Sequence, residues 1–478
     1  MPFLFIIFIS LISYTYQLLI VDVVTRASAR RAMMKREDAV SPKFWAPPPV
    51  DARDVSRASW TAFFAWIFAV YDFILFGTLL PEIGLHYQWN EAQQAQIATL
   101  VAIGSAVVAF LVGPIVDRFG RRTGMITTVA GAALCSGLTA AAGNAGQAVL
   151  VLVRSLAGLG YAEQTVNATY LNEMYAALDD PRMDRRKGFF FSLVQGGWPI
   201  GALVAAGLTA VLLPFVGWQG CFIFAAFPAV AILFMTRRLR ESPQFLLHRR
   251  IVETMRAGDT AQARELAQAH GLDYGTHSGG IGAAFRGRAL RSTLVLGLSF
   301  MLNWSTIQVF SVLGTTVITK VHALSFQSSL VVLVLSNVVG YLGYVAHGFI
   351  GDRLGRRNTI VAGWMLGALS FLAMLYAPSD FSVVVALYSL GLFFLIGPYA
   401  AALFFIGESY PTSIRATGGA IVTAMGPIGA VIASAGVTAL LSNGGTWKEG
   451  AFWFGVLPCF ASALLMVFAR RSGEVSGT

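Results

Sequence analysis

The hexapeptide Asp117-Arg118-Phe119-Gly120-Arg121-Arg122 recurs as Asp352-Arg353-Leu354-Gly355-Arg356-Arg357, an offset of 235 residues, and Glu173 recurs as Glu408 at that same offset. The chain is a duplicated unit. Each hexapeptide is flanked by long apolar stretches, where charge is expensive unless it forms a short loop at the water boundary. Two similar membrane halves with matched polar hinges predict a machine that rocks about its centre.

Composition agrees. The 478 residues are 56% hydrophobic and 12% charged, with 49 glycines and a mean hydropathy of +0.66, whereas soluble chains carry about 25% charged residues. The three cysteines, Cys135, Cys221 and Cys459, all lie in apolar runs, so neither a disulfide framework nor a thiolate metal cluster is expected.

Stretches of roughly 20 apolar residues, the length that crosses the hydrocarbon as a helix, place twelve spans near 60–84, 96–116, 124–142, 148–173, 188–213, 217–236, 291–319, 326–350, 358–376, 381–407, 414–441 and 450–470. The expected fold is an all-α membrane protein with twelve transmembrane helices in two six-helix bundles, 58–236 and 291–470. An N-terminal extension (1–57), a central polar loop (237–290) and a short tail (471–478) complete the chain. Within the central loop, an amphipathic pattern runs over 251–270.

Lysine and arginine concentrate in cytoplasmic loops. Placing the N-terminal arm, the loops after even-numbered spans and the C-terminus inside puts 31 of the 34 basic residues there, leaving Arg154, Lys320 and Lys448. A multi-pass protein of the cell membrane, such as a bacterial inner membrane, with both ends cytoplasmic is expected. The net charge of +10 is then explained by topology and lipid headgroups, and nucleic-acid binding is not expected.

Residues 3–24 form a further apolar segment followed by eight basic residues. With no positive n-region, and with its basic arm on the wrong side after cleavage, it does not read as a secretory signal. An extra anchor helix and a true start at Met33 or Met34 both fit. Since the arm beyond Met33 keeps Lys35, Arg36, Lys43, Arg53 and Arg57, transport is expected to survive deletion of residues 1–32.

The motifs together are specific. Gly113, Asp117, Arg118, Gly120, Arg121 and Arg122, echoed by 351–357, resemble the signature loops of the major facilitator superfamily. Arg154-Ser155-Leu156-Ala157-Gly158-Leu159-Gly160 is similar to its fourth-helix motif, and Arg240-Glu241-Ser242-Pro243-Gln244-Phe245-Leu246 to the segment after helix six in its sugar-porter-like branches. Glu408-Ser409-Tyr410-Pro411-Thr412-Ser413-Ile414-Arg415-Ala416-Thr417-Gly418 resembles the end of helix ten there. The resemblance covers residues 58–470 and implies alternating access between two bundles.

The loop residues read as a gate: Asp117, Arg118, Arg121, Arg122 and Glu173 in the first half, and Asp352, Arg353, Arg356, Arg357, Glu408 and Arg415 in the second. Arginine's fork can grip Glu173 or Glu408, while the aspartates can accept from helix N-termini or pair across the halves. The plainer reading is that these charges only orient the chain.

Asp72, in the first span, is a carboxylate in an apolar helix that must pair or hold a proton, and so is a candidate proton site. Tyr71-Asp72-Phe73 resembles helix one of metabolite:proton symporters, although Ala69-Val70 stands where those have Glu-Trp. A permanent structural ion pair is the alternative. In the fourth span, Glu163 and Asn167 share a face one turn apart, while Arg154 points to the opposite side. Ala162-Glu163 stands where the metabolite symporters have Gly-Glu. Proton coupling is therefore assigned to Asp72, Glu163 and Arg154, with Arg154 tuning a neighbouring carboxylate; a buried structural pair is the competing reading.

Substrate-cavity candidates are Tyr71, Asn167, Gln195, Trp198, Asn303, Trp304, Gln308, Asn337, Tyr341 and Tyr399, because amides and aromatic rims recognise hydroxyl and carboxylate groups while staying neutral. Packing is the default role for any one of them. His347 reads as a packing histidine or a titrating gate.

No P-loop, nucleophile elbow or zinc-spaced histidine pair occurs. The protein is expected not to be an enzyme and to need no cofactor. Its partners are expected to be a small molecule, protons and the bilayer, and it is expected to function as a monomer. The leading function is proton-coupled symport of a small metabolite, foremost an organic acid. Sugars, polyols and aromatic acids remain open as cargo, and a drug or organic-ion exporter or a non-transporting sensor are the remaining alternatives.

Overall fold

A computed structural model describes residues 45–142, 145–178, 190–191, 193–270, 281–410 and 414–469. The expectations about residues 1–44 and the tail lie outside it, as do the side chains of Asp117, Arg118 and Arg415. Among the described residues, ten helices are long and apolar enough to cross a membrane.

In the first repeat, α1 (Ala52–His86) opens with a capping box in which Asp54 N–H donates to Asp51 Oδ1 at 2.7 Å. α2 (Glu91–Phe119) and α3 (Arg121–Ala142) are joined by Gly120 alone, at φ +101°, a conformation that glycine adopts without a Cβ penalty. The fourth crossing is made of two pieces, α4 (Gln147–Leu156) and α5 (Leu159–Ala176). The fifth and sixth are continuous as α6 (Gly197–Arg237), which turns back at Gly217, φ +65°. Its first arm meets α1 where a Cβ on Gly201 would lie 2.7 Å from the Ile67 carbonyl, and its second arm lays Trp218 against Tyr87. These two features reconcile ten long helices with twelve crossings.

In place of the single amphipathic pattern read in the central loop, two helices form, α7 (Pro243–Arg256) and α8 (Thr260–Ala269), separated at Gly258, φ +91°. They share a small apolar core of Leu247, Ile251, Ala263, Leu266 and Ala267.

The second repeat begins with α9 (Gly287–Ile307), which runs into a wide π turn over Gln308–Val312 and then α10 (Gly314–His322). α11 (Phe326–Leu354) and α12 (Arg356–Tyr376) are joined by Gly355, φ +86°, the repeat partner of Gly120. α13 (Phe381–Ile396) and α14 (Tyr399–Glu408) form the tenth crossing, α15 (Arg415–Ser442) the eleventh, and α16 (Trp447–Ala451), a second π turn and α17 (Leu457–Val467) the twelfth.

The repeats touch along α2 with α15 and along the first arm of α6 with α11. Thr99 Oγ1 and Thr438 Oγ1 lie 2.9 Å apart, and Gln327 Nε2 donates to the Ala210 carbonyl at 3.3 Å. Thr315 Oγ1 donates to the carbonyls of Gly77 and Thr78, and Lys320 pairs with Glu91 at 2.8 Å. All four lie away from the Asp-Arg loops and close the face opposite them. On the loop face, the rings of Phe191 and Phe404 meet at 5.7 Å.

Candidate functional site

Asp72 projects from the middle of α1 and is fully buried. Arg154, near the end of α4, reaches it twice: Nη1 approaches Asp72 Oδ1 at 3.4 Å, and Nη2 donates to the Asp72 carbonyl at 3.0 Å. Ser136 of α3 donates to the same Oδ1. The guanidinium is sandwiched by Phe76 at 5.5 Å and Phe222 at 5.0 Å, contacts that favour a weakly hydrated planar cation. Asp72 Oδ2 and Arg154 Nε, both buried, have no hydrogen-bond partner among the described residues.

Arg154 also lines a small crevice between the repeats. Phe73 and Phe76 of α1 and Ser105 of α2 form its first-repeat wall, and Gln308 and Val312 of the π turn form the other. The π turn faces the site because Gly77 lets α1 come close: a Cβ there would lie 2.9 Å from Val312 Cγ1.

Aromatic rings bridge the repeats at this depth. Trp304 of α9 meets Tyr161 of α5 at 5.2 Å and Trp198 of α6 at 5.4 Å, both edge-on. Phe73 touches Tyr161 and Trp198, Trp66 touches Trp198, and Phe300 leads from Trp304 to Tyr399. Trp198 Nε1 donates across the interface to Ser311 Oγ at 3.4 Å, and Tyr399 OH donates to Asn303 Oδ1 at 2.8 Å. The buried donors Gln195 Nε2, Asn303 Nδ2 and Trp304 Nε1 and the buried acceptor Asn337 Oδ1 have no partner among the described residues.

The expected site residues thus divide. Asp72 and Arg154 meet each other; Trp198, Asn303, Trp304 and Tyr399 join one network; Gln308 lines the crevice and donates to Ser434 at 3.0 Å. Tyr71 is buried in the core and Tyr341 is half-buried. Asn167 donates to the Ala62 carbonyl at 2.6 Å, inside the first repeat, and Glu163 accepts from Thr128. His347 Nδ1 lies 2.8 Å from the Gly343 carbonyl, in a packing role. Sequence reasoning passed over Tyr161, Phe73, Ser136, Thr128 and Ser311. The available signal was the spacing of Thr128 and Ser136, hydroxyls eight residues apart on one face of α3.

On the loop face, the repeated residues pair within each repeat. Arg121 Nε and Nη2 both donate to Glu173 Oε1, at 3.2 and 3.1 Å, and Arg356, at the matching position, pairs with Glu408 and with Asp352. Arg122 donates to the Arg237 carbonyl at the end of α6, and Arg357 donates to the Val467 and Ala469 carbonyls at the end of α17, where a helix dipole favours cations. Arg353 lies over the Phe349 ring. The first repeat adds Glu241, which accepts from the Arg121 and Arg122 amides, and Ser242, which donates to Glu173. The described clasps therefore brace each repeat.

Two repeats of membrane-spanning helices with a buried ion pair beside a crevice between them fit a membrane transporter. The chain belongs to the Major Facilitator Superfamily, whose family model matches residues 62–396 and 309–477. It is 26% identical over 432 residues to the niacin transporter NiaP of Acinetobacter baylyi, covering 86% of this chain and 93% of that protein. It is 24% identical over 442 residues to the gallate transporter of Pseudomonas putida, covering 88% and 96%. Its fold matches the inward-open xylose transporter XylE from E. coli with a TM-score of 0.63 at 18% identity, covering 88% of this chain and 97% of that one. The protein is a multi-pass membrane transporter of a small molecule.

Proposed function

We propose that the protein is a proton-coupled symporter of a small, ring-bearing organic acid, with the loop face cytoplasmic. The observation that carries the reading is the Asp72–Arg154 pair, in which Arg154 lines the crevice and Asp72 lies buried behind it. Arg154 can serve either the Asp72 carboxylate or a substrate carboxylate. A proton on Asp72 removes the charge that holds the guanidinium, which then pairs with the incoming acid. When the acid leaves, Arg154 returns to Asp72 and the proton is released. Neither ligand is released alone, so a proton gradient drives the acid.

The unpartnered donors Gln195 Nε2, Asn303 Nδ2 and Trp304 Nε1 suit an acceptor-rich group such as a carboxylate. The edge-on rings of Tyr161, Trp198 and Trp304 suit a flat apolar body. The niacin and gallate transporters named above carry ring acids. The amide set also suits hydroxyls, which favours sugar or polyol symport as the second reading. Uptake of labelled nicotinate, gallate, benzoate and xylose into proteoliposomes, with and without an imposed proton gradient, tests both. Gradient-driven accumulation confined to the acids is expected; accumulation of xylose alone would replace the first reading by the second.

A further inference from the structure

One turn of α5 holds two buried acceptor oxygens with no donor among the described residues, Glu163 Oε1 and Asn167 Oδ1. Both residues are fully buried, and their spacing of four places them one above the other on the helix face. The amide is oriented by its other end, since Asn167 Nδ2 donates to the Ala62 carbonyl of α1. The second carboxyl oxygen, Glu163 Oε2, takes the hydroxyl of Thr128 on α3.

Among the described residues, Arg53, Arg57, Glu82 and His86 of α1 and His248, Arg250 and Arg256 of α7 are exposed or half-buried, and the other charged groups on the helices packed against α5 are engaged elsewhere. Asp72 of α1 holds Arg154, Asp54 holds Arg240, and Arg121 of α3 holds Glu173. Glu91 of α2 holds Lys320, Arg122 of α3 serves the end of α6, and Arg249 and Glu253 of α7 hold each other. Tyr71 of α1 and Tyr161 and Tyr170 of α5 bring neutral phenols. An ionised Glu163 would thus face an amide oxygen in apolar surroundings with one hydroxyl for company, which costs several kcal/mol. A proton on Oε1 removes the charge and supplies the missing donor at once.

We propose that Glu163, Asn167 and Thr128 form a second proton site, separate from Asp72 and Arg154, in which the Glu163 carboxylic acid donates to the Asn167 amide oxygen and accepts from Thr128. The proposal rests on proton coupling for its role in transport, not for the protonation itself. The two sites sit on separate pieces of the fourth crossing, Arg154 on α4 and Glu163 on α5, with the break at Ala157 and Gly158 between them. A shift of α5 against α3 would open the second site without disturbing the first.

Infrared spectra of the full-length protein in lipid at neutral pH, in the carbonyl-stretch region of protonated carboxyls, test it. The expected result is a band that is lost in Glu163→Gln, kept in Asp72→Asn, and moved to higher frequency in Asn167→Leu and in Thr128→Val, each of which removes one hydrogen bond. Glu163→Gln matches the protonated acid in shape and charge, so its Tm should stay at the wild-type value. Glu163→Asp, as a second variant, should shift the band. A wild-type spectrum without the band, its survival in Glu163→Gln, or an unchanged frequency in Asn167→Leu overturns the proposal. If proton-driven uptake fails in the wild type while the band behaves as expected, the coupling reading falls and the second site stands.

Discussion

At the scale of single residues, the account turns on Asp72 and on the fact that Arg154 has two bonds to give. Asp72→Asn should abolish gradient-driven accumulation while sparing substrate exchange, since exchange needs no net proton release. Undiminished uphill accumulation in that variant would remove Asp72 from coupling. The variant leaves Arg154 buried without its counter-ion, a change that costs about 3–5 kcal/mol, so a lower Tm should accompany the defect. Both residues were legible as charges in apolar helices. Their pairing was not, because 82 residues separate them and nothing in a single sequence says which helix faces meet. Ser136 and Thr128 escaped notice for a related reason: a hydroxyl in an apolar helix can satisfy itself on the preceding turn, as Thr128 also does on Gly124 and Met125.

At the scale of elements, the spans were readable from hydropathy because each must bury its own backbone polar groups in lipid. The places where helices depart from regularity were not readable, and those are where the site lies. The break between α4 and α5 falls within a stretch read only as a motif, and the π turn at Gln308–Val312 has no residue signature. Gly77 shows what such a departure requires, as α1 lies directly against that turn. Gly77→Leu should therefore separate α1 from the π turn and reduce transport at least about tenfold, a loss of about 1.4 kcal/mol in transition-state stabilisation. Initial uptake rates at matched membrane expression check it, and wild-type rates would show that the contact is dispensable.

At the scale of the whole molecule, the 235-residue repeat made the two-bundle plan legible at once, but not which contacts the repeated charges make. A partner repeated at the same offset implies that each repeat holds its own pair, and Arg121–Glu173 and Arg356–Glu408 are such pairs. Contacts between repeats involve residues with no counterpart in the motif, such as Glu91 with Lys320 on the face opposite the loops. That pair is half-exposed and worth about 0.2–1 kcal/mol, so neutralising it should change transport little. Covalently fixing the two positions is a different matter. Glu91→Cys with Lys320→Cys, bridged by a short thiol cross-linker, should stop transport, whereas the uncrosslinked double variant should work. Transport by the cross-linked protein would mean that this face need not open.

The central claim, that acid and proton move together, is tested most directly by following both in one preparation. Proteoliposomes holding a pH indicator would receive labelled nicotinate under no imposed gradient, with uptake and internal pH recorded together. Acidification of the lumen in step with substrate entry, absent from Asp72→Asn, is the predicted result. Entry of the label with no proton movement, or with protons moving outward, would contradict it.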